Sequence, residues 1–561
     1  MNSAERTSNT EGITLVSSGA ALGAGLDAAQ TVLTTARDRV GEVMGKTDST
    51  ASADAFDAHQ YAAHGLAWMA TTVEALRQTL AWSDLLVAGG RLGEIEQLIA
   101  LATFGEYLGQ IAGGIPISQG EIVRPADLGL TRQDLVPLDA PGPRALIERG
   151  NTIGVRRRIA ELVAEGQFGN WGLDDVTHEL VRDQFHRFTD EQIAPNANDW
   201  HLDNALIPDE LLDEMASLGI FGLTIPEEYG GLDMGRTAFC IVTEELSRGY
   251  LGAGSLPTRT EIAAELIRYC GTEEQKARFL PGIASGKIIP TASFTEPNSG
   301  SDLGSLTTRA TLDGDVYGVT GQKTWVTHGA RSDLMTLLVR TDPNQSDWRG
   351  LSMLLAIKPR GTEEDPFPAP NMSGTEIDVL GYRGMREYEI SFDGFQVESR
   401  NLLGGSEGEG FKQLMQTFET ARIQTAARAN GVAQNALELA LAYAQERRQF
   451  VKPIAEFDRI AGRIGWMTVE VMVSRQLTFF AAREKDQGRR CDVEAGMAKL
   501  FAARAAWTAA DSAVQIHGGN GYALEFPVSR LLVDARILNI FEGAAEIQAH
   551  VIARALLAEK N

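Results

Sequence analysis

The chain has 561 residues, of which 43% are hydrophobic and 22% charged, and this balance excludes a disordered or fibrous protein. Its formal net charge of -24 disfavours nucleic acid and anionic membrane surfaces as partners, and no basic patch interrupts the acidic surplus. No apolar run is long enough to span a membrane, and three widely spaced cysteines argue against zinc or a redox dithiol, so we expect a cytoplasmic protein of several domains without a metal site.

The first predicted element is a helical extension, residues 1–165. From residue 13 onward the sequence is rich in Ala, Leu and Gly with helical spacing, as between His64 and Trp82. Aromatic and Met side chains at that spacing favour a packed core over a cofactor site. We therefore expect an additional helical unit in front of the rest of the chain.

The remainder follows the order helices, sheet, helices. Residues 166–290 are predicted to be helical, and 291–403 contain alternating, β-branched segments typical of strands, at 316–320, 334–340, 351–357 and 388–392. The glycine-rich stretch 404–410 lacks a preceding dinucleotide-fold strand and carries two glutamates, which favours a helix-entry loop over a phosphate cradle. Long amphipathic helices are expected at 411–446 and 460–487, so the fold class is mainly α with a central β-domain.

Glu542, near the C-terminus, is the candidate general base. It lies between an apolar, β-favouring run and a helix-forming run, where its neighbours would bury it and Gly543 would permit a sharp turn. A desolvated carboxylate is a better base than a hydrated one. The alternative is an acidic residue placed at a helix N-terminus for its favourable interaction with the helix dipole. The segment alone leaves both interpretations open.

Five motifs in a fixed order make residues 170–561 resemble the flavin-dependent acyl-CoA dehydrogenase family. They are IPEEYGG (225–231) with EELSR (244–248), FTEPNSGSD (294–302), KTWVTHG (323–329), ERRQF (446–450), and QIHGGNG (515–521) followed by the Glu542 segment. The resemblance implies a helical N-domain at 166–290, a β-barrel-like domain holding flavin at 291–403, and a helical bundle with the catalytic Glu at 404–561.

The resemblance also implies FAD as cofactor and assigns its contacts. Phe294, Thr295, Trp325 and Thr327 correspond to flavin contacts, although an ordinary half-buried strand would also explain Trp325 and Thr327. The pyrophosphate and adenosine are bound across a subunit interface in the family, which implies a homodimer here. The positions that match this part of the site are Arg447, Gln449, Phe450, Gln515, Gly518, Gly519, Ala544 and Glu546.

In the family, the base removes a proton from C2 of an acyl-CoA thioester while C3 delivers hydride to the flavin N5. Glu542 would be that base, because the position used by some members, just before the helix arginine, is Ala421 here. Ser301 and Arg422 resemble contacts to the CoA portion, with a plain helix-surface cation as the alternative for Arg422. The expected electron acceptor is electron-transfer flavoprotein.

Two departures from the family pattern concern the FAD periphery. Many relatives have a small hydroxyl residue at the position that follows Arg383-Gly384, whereas this chain has Met385-Arg386-Glu387 there. Asp458 stands where a Gln often contacts the cofactor in the family. The FAD surroundings are therefore expected to differ in detail.

The N-terminal extension resembles a subgroup of the family, the (2S)-methylsuccinyl-CoA dehydrogenases. This resemblance implies oxidation to mesaconyl-CoA (2-methylfumaryl-CoA) in acetyl-CoA assimilation by the ethylmalonyl-CoA pathway. Such a substrate carries a free carboxylate, and Arg259 is the candidate ligand, with a surface or CoA contact as its alternative. Two further functions stay open: a dehydrogenase or oxidase for glutaryl-CoA or another short acyl-CoA, and a flavin-bearing nucleic-acid-binding regulator, which the net charge disfavours.

Overall fold

A computed structural model describes residues 19–45, 53–173 and 175–558; residues 1–18 and 46–52 of the predicted extension lie outside these ranges. The chain divides into two compact units. Unit 1 contains residues 1–179, 425–484 and 488–561, and unit 2 contains 180–424 and 485–487. No helix in the described ranges has the length and apolar character needed to cross a membrane.

The N-terminal part of unit 1 is helical, as predicted. Its helices are α1 (Gly19–Val43), α2 (Ala53–Ala58), α3 (Gln60–Ala88), α4 (Glu94–Gly113), α5 (Pro141–Arg149) and α6 (Ile153–Ala164). A two-stranded ladder of β1 (Ile115–Pro116) and β2 (Ile122–Val123) follows α4. Trp68 and Trp82 of α3 are buried, as the interpretation of these aromatics as core residues predicts.

Unit 2 begins with helices and continues into a sheet. Helix α7 (Val176–Phe188) starts in unit 1 and leads to α8 (Ala197–Leu202), α9 (Asp209–Ser217), α10 (Gly235–Gly249), α11 (Leu251–Cys270) and α12 (Glu273–Ala284). Helices α10 and α11 are buried along almost their whole length. The Thr272 hydroxyl accepts from the Gln275 N–H at 3.2 Å and so caps α12.

The sheet of unit 2 has seven strands. They are β3 (Pro290–Ser293), β4 (Arg309–Asp313), β5 (Val316–Thr327), β6 (Leu334–Arg340), β7 (Leu351–Ile357), β8 (Met372–Ile377) and β9 (Glu387–Glu398). The spatial order is β3-β6-β4-β5-β9-β8, with β7 pairing on β6. All four predicted strand segments are present, and most of the β-branched and aliphatic side chains that predicted them are buried on the sheet, whereas Ile357 is exposed.

Five further helices end the chain. Helix α13 (Gly410–Glu446) belongs to unit 2 through Gln424 and to unit 1 from Thr425. After a hairpin of β10 (Arg448–Gln449) and β11 (Lys452–Pro453) come α14 (Asp458–Asp486), α15 (Asp492–His517), α16 (Pro527–Ile537) and α17 (Ala545–Ala558). Because α13 begins at Gly410, the glycine-rich stretch is a helix-entry loop, as predicted.

The N-terminal helices of unit 1 pack directly on its C-terminal helices. The ring of Phe56 lies 5.0 Å from that of His550, and the Arg504 guanidinium lies 4.8 Å from the ring centroid of Trp68. Farther along, the Gln476 side chain donates to the Trp171 carbonyl at 3.0 Å. The extension and the C-terminal helices thus share one compact unit.

The run that precedes Glu542 is the last turn of a helix followed by a turn at 538–541, so its expected β character is wrong. Helix α16 extends to Ile537 and buries Val528, Leu531 and Ala535. These positions recur at helical spacing, and this periodicity outweighs the β preference of the isoleucines at the end of the run. Glu542 therefore lies on a helix-to-helix turn.

Candidate functional site

The Glu542 carboxylate is held against α13 within unit 1. Its side chain is 10% exposed, and Oε2 accepts a bond from Arg428 Nη2 at 2.6 Å and another from the Thr425 hydroxyl. Helix α17 starts three residues later, at Ala545. The carboxylate thus bonds to side chains of another helix, which is not the arrangement expected of a helix-capping acid.

The backbone of this turn is fixed as firmly as the side chain. Glu542 has a φ of 53° and Gly543 a φ of 89°, so two consecutive residues are left-handed. The Gly543 carbonyl accepts from Lys499 Nζ at 2.7 Å and from Gln548 Nε2 at 3.0 Å. A Cβ at position 543 would lie 2.1 Å from Gln548 Nε2, which explains the glycine. The predicted sharp turn is confirmed.

In unit 2, the predicted flavin contacts lie side by side where β5 is irregular. The register of β5 against β9 shifts between Lys323 and Val326, and Trp325 between them has a φ of 57° and is 55% exposed. The Thr324 N–H donates to the Thr295 carbonyl at 2.9 Å, and Lys323 Nζ donates to the Phe294 carbonyl at 2.9 Å. An apolar ring is thereby held at the surface beside residues 294 and 295.

A buried ion pair fixes the 294–302 segment to β5. Lys323 Nζ lies 3.0 Å from Glu296 Oε1, and burial lowers the pKa of Lys323 to about 8. Burial would raise the pKa of Glu296, but Lys323 and the N–H groups of Thr307 and Thr308 outweigh it and hold that pKa at about 2. The pair is therefore charged on both sides near neutral pH.

Glu387, one of the predicted departures, lies behind the same strand. It is 5% exposed and accepts a bond from the Thr327 hydroxyl at 3.0 Å. Burial raises its pKa to about 7, against the opposing effects of the Thr327 bond and of Arg259. Thr327, the last residue of β5, is thus half of a buried polar pair between β5 and β9.

The two predicted substrate-binding arginines are both buried. Arg259 lies on α11 and donates to the Tyr382 hydroxyl at 3.3 Å. Arg422 lies on α13, with its guanidinium 5.9 Å from the ring of Phe418. Neither is a surface cation. Ser301 is exposed in the turn after β3.

The predicted adenosine and pyrophosphate contacts gather at two exposed ends of unit 1. Tyr443, near the end of α13, stacks on His517 at 4.1 Å, and Asn520 donates to its hydroxyl at 3.1 Å. The two ends therefore lie together. They carry Arg447, Gln449, Phe450, Gln515, Gly518 and Gly519, all of which are exposed. The other two predicted cofactor contacts lie near Glu542 instead, where Glu546 is exposed and Ala544 half-buried.

Two backbone features shape these ends. Gly518 has φ 60° and ψ -132°, a conformation that essentially only glycine adopts, and no atom lies within 4 Å of a Cβ built on it. Phe450 is left-handed and 85% exposed at the tip of the β10–β11 hairpin. His517 is buried in its stack with Tyr443, as expected of a packing residue.

The second departure, Asp458, is engaged by the N-terminal extension. It begins α14, and its carboxylate lies 2.9 Å from Arg157 Nη1 of α6. Within the described part of the chain, no group of His, Cys, Asp and Glu side chains is arranged to hold a metal ion.

Three residues of the Glu542 turn are missed by sequence reasoning: Thr425, Arg428 and Lys499. Each interrupts an Ala-rich helix, as in Ala426-Ala427-Arg428-Ala429. A charged residue surrounded by small apolar ones on a buried helix is the signal that could have found Arg428 and Lys499.

Comparison with known proteins places these features in a family. Three family models match: the acyl-CoA dehydrogenase N-terminal domain over residues 175–287, the middle domain over 291–395 and the C-terminal domain over 408–557. A (2S)-methylsuccinyl-CoA dehydrogenase of Cereibacter sphaeroides is 60% identical over 517 residues, which cover 91% of this chain and 93% of that protein.

Two solved structures share the fold. A glutaryl-coenzyme A dehydrogenase in complex with glutaryl-CoA aligns with a TM-score of 0.64 and 32% identity, over 68% of this chain and 94% of that one. A structure described as an electron transferring flavoprotein of Acidaminococcus fermentans aligns with a TM-score of 0.65 and 32% identity, over 69% of this chain and 99% of that one. The chain belongs to the acyl-CoA dehydrogenase family of oxidoreductases.

Proposed function

We propose that the protein catalyses the FAD-dependent α,β-dehydrogenation of (2S)-methylsuccinyl-CoA to mesaconyl-CoA, within acetyl-CoA assimilation by the ethylmalonyl-CoA pathway. The observation that carries this proposal is the 60% identity to the Cereibacter sphaeroides enzyme over 517 residues. This aligned length exceeds the region of the three family domains, 175–557, and so reaches into the N-terminal extension.

Glu542 is the proposed base. Its burial, its left-handed backbone and its anchorage to α13 support that role, because a base must be desolvated and held in one geometry before proton transfer. Removal of the C2 proton from an acyl thioester also requires a polarised carbonyl. We assign this task to the backbone N–H of Glu542, as in the family.

The residues of unit 2 fit a flat aromatic cofactor. The exposed Trp325 ring and the adjoining Phe294 and Thr295 offer an apolar surface for such a ring, and the buried Thr327–Glu387 hydrogen bond links β5 to β9 close by. When bound, FAD supplies the acceptor for the hydride from C3. The exposed glycines 518 and 519 with Arg447 suit a pyrophosphate, because backbone and guanidinium can approach phosphate oxygens closely.

The free carboxylate of the substrate is assigned to Arg259. This arginine is buried on α11, and its planar guanidinium can bind a carboxylate through two parallel bonds. Ser301 and Arg422 are the proposed contacts to the CoA portion.

We infer a cytoplasmic homodimer that passes its electrons to electron-transfer flavoprotein. Phe450 and its neighbour Val451 at the hairpin tip are 85% and 95% exposed, and they support a subunit interface there because adjoining exposed apolar side chains, unlike scattered single ones, mark interaction surfaces. The assignment of the electron acceptor rests on family membership.

The decisive experiment is an anaerobic titration of the purified flavoprotein with methylsuccinyl-CoA, glutaryl-CoA and butyryl-CoA, following bleaching of the flavin. Methylsuccinyl-CoA should bleach the flavin fastest. If methylsuccinyl-CoA does not bleach it while a monocarboxylic acyl-CoA does, the proposed substrate is wrong. Peroxide release in air without an acceptor would instead indicate an oxidase.

Glu542→Gln tests the base separately. The variant should bind FAD normally yet lose bleaching by at least about a hundredfold, because the C2 proton has no acceptor. Glu148→Gln, at an exposed ion pair on α5, is the matched control and should bleach as wild type. Fast bleaching by the Glu542 variant would place the base elsewhere.

A further inference from the structure

Arg428 lies in the middle of α13 and is fully buried, although it carries a charge that cannot be lost near neutral pH. Its Nη2 lies 2.6 Å from Glu542 Oε2, and its guanidinium carbon lies 4.8 Å from the centroid of the Phe541 ring. A buried arginine needs a compensating anion. Here the compensating carboxylate is the proposed base.

Thr425, one helical turn before Arg428, completes a closed arrangement. Arg428 Nη2 donates to the Thr425 hydroxyl oxygen at 2.9 Å, and the Thr425 hydroxyl donates in turn to Glu542 Oε2. Both donors converge on one oxygen of the carboxylate. The rotamer of Glu542 is thereby fixed from the side of α13, while Lys499 of α15 and Gln548 of α17 hold the carbonyl of the next residue, Gly543.

The charge of Arg428 has a consequence beyond position. A carboxylate that is 10% exposed tends to keep its proton, because burial penalises the charged form. A protonated Glu542 cannot accept a proton from C2. A guanidinium in direct contact opposes that penalty and keeps the carboxylate ionised.

We propose that Arg428 is a positioning residue that keeps Glu542 ionised and aimed before proton abstraction. The inference rests on the proposed role of Glu542 as base. Arg428 acts through Glu542, so its effect should appear in the pH dependence of the reaction.

Other charged groups around the turn would stay the same when Arg428 is replaced. Lys499 of α15 bonds to the Gly543 carbonyl. On α16, Asp534 lies 3.6 Å from Arg530, and both are buried. Glu546, in the first turn of α17, is exposed. A change in the titration of Glu542 on replacing Arg428 would therefore report the Arg428 contact itself.

The test compares Arg428→Gln and Arg428→Lys with wild type in stopped-flow bleaching by saturating methylsuccinyl-CoA across the pH range. In Arg428→Gln, the acid limb of the pH–rate profile should move to higher pH by about one to three units, and the bleaching rate should return to near the wild-type value at alkaline pH. Arg428→Lys retains the positive charge, so its acid limb should lie close to that of the wild type. Arg475→Gln removes another buried arginine of unit 1, which stacks 4.0 Å from Trp171, and should leave the limb in place.

A second measurement needs no substituted arginine. Infrared spectra detect the C=O band of a protonated carboxyl, and its loss in Glu542→Gln assigns the band to Glu542. In the wild-type protein this band should be absent at neutral pH and should appear only on acidification. A protonated Glu542 at neutral pH would overturn the inference even if Arg428→Gln failed to fold. An Arg428→Gln rate lowered equally at every pH, or a change confined to substrate affinity, would overturn it as well.

The two proposals fail in different ways. Wild-type protein that methylsuccinyl-CoA does not bleach, or a Glu542→Gln variant that still bleaches, contradicts the proposed function. The infrared titration of Glu542 then still decides whether Arg428 keeps that carboxylate ionised.

Discussion

Replacing Glu387 by Gln should stabilise the protein, and the gain should grow with pH. The side chain is 5% exposed on β9, where it accepts a bond from Thr327. Glutamine has nearly the same shape, and its amide oxygen can accept the same hydroxyl. The substitution therefore removes a buried ionisable group while preserving the hydrogen bond.

The magnitude follows from the two pKa values of this carboxyl. Burial raises the pKa of Glu387 from 4.5 to about 7 in the folded protein. Between these values the folded state holds a proton that the unfolded chain has released, so stability falls as pH rises through this window and is constant above it. At about 1.36 kcal/mol per pH unit, the cost of ionising the buried group reaches about 3 kcal/mol above pH 7.

Urea unfolding of wild type and Glu387→Gln at a series of pH values from about 5 to about 8 measures this difference. The two proteins should unfold at similar urea concentrations at the acid end, and the variant should be the more resistant at the alkaline end. Glu389→Gln, two residues along the same strand and hydrogen-bonded to Gln322, is the control and should show no such trend. A difference between Glu387→Gln and wild type that is independent of pH would refute the reasoning, because it would mean that Glu387 does not change protonation on folding.

Two further substitutions test the proposed substrate and subunit contacts. Arg259→Leu should weaken binding of methylsuccinyl-CoA by roughly 10- to 100-fold and leave butyryl-CoA binding nearly unchanged, since it removes a charged hydrogen bond to the free carboxylate. Calorimetry measures both affinities, and Arg309→Leu, at an exposed arginine, is the control. Equal losses of affinity for the two ligands would contradict the assignment of Arg259. Phe450→Asp should shift the protein towards monomer and lower its FAD content, as light scattering and absorbance would reveal. Leu380→Asp, at a single exposed apolar residue, should change neither the oligomeric state nor the FAD content. A stable FAD-bound dimer of the Phe450→Asp variant would place the interface elsewhere.

The sequence was sufficient to predict the order of helices, sheet and helices, because periodicity is a local property. The segments 334–340 and 351–357 were predicted as strands and are buried on both faces except at their last residues, and α13 is one uninterrupted helix where a long helix was predicted. The segment before Glu542 was mispredicted because its isoleucines favour strands individually while Val528, Leu531 and Ala535 follow helical periodicity. In that segment the two local signals conflict, and packing decides between them.

The position of Glu542 was predictable, but its electrostatic environment was not. Thr425 and Arg428 lie more than a hundred residues upstream, and although a charge among alanines marks Arg428 as unusual, the local pattern of α13 does not indicate that its partner is Glu542. The same holds for Glu387, whose pKa is raised by burial and partly lowered again by Thr327 and Arg259 from two other elements. A short motif thus suggests a candidate base, whereas the ionisation of that base depends on contacts distant in sequence. Relatives that share the Glu542 motif but lack a cation at position 428 should therefore differ from this protein in the pH dependence of proton abstraction rather than in the reaction itself.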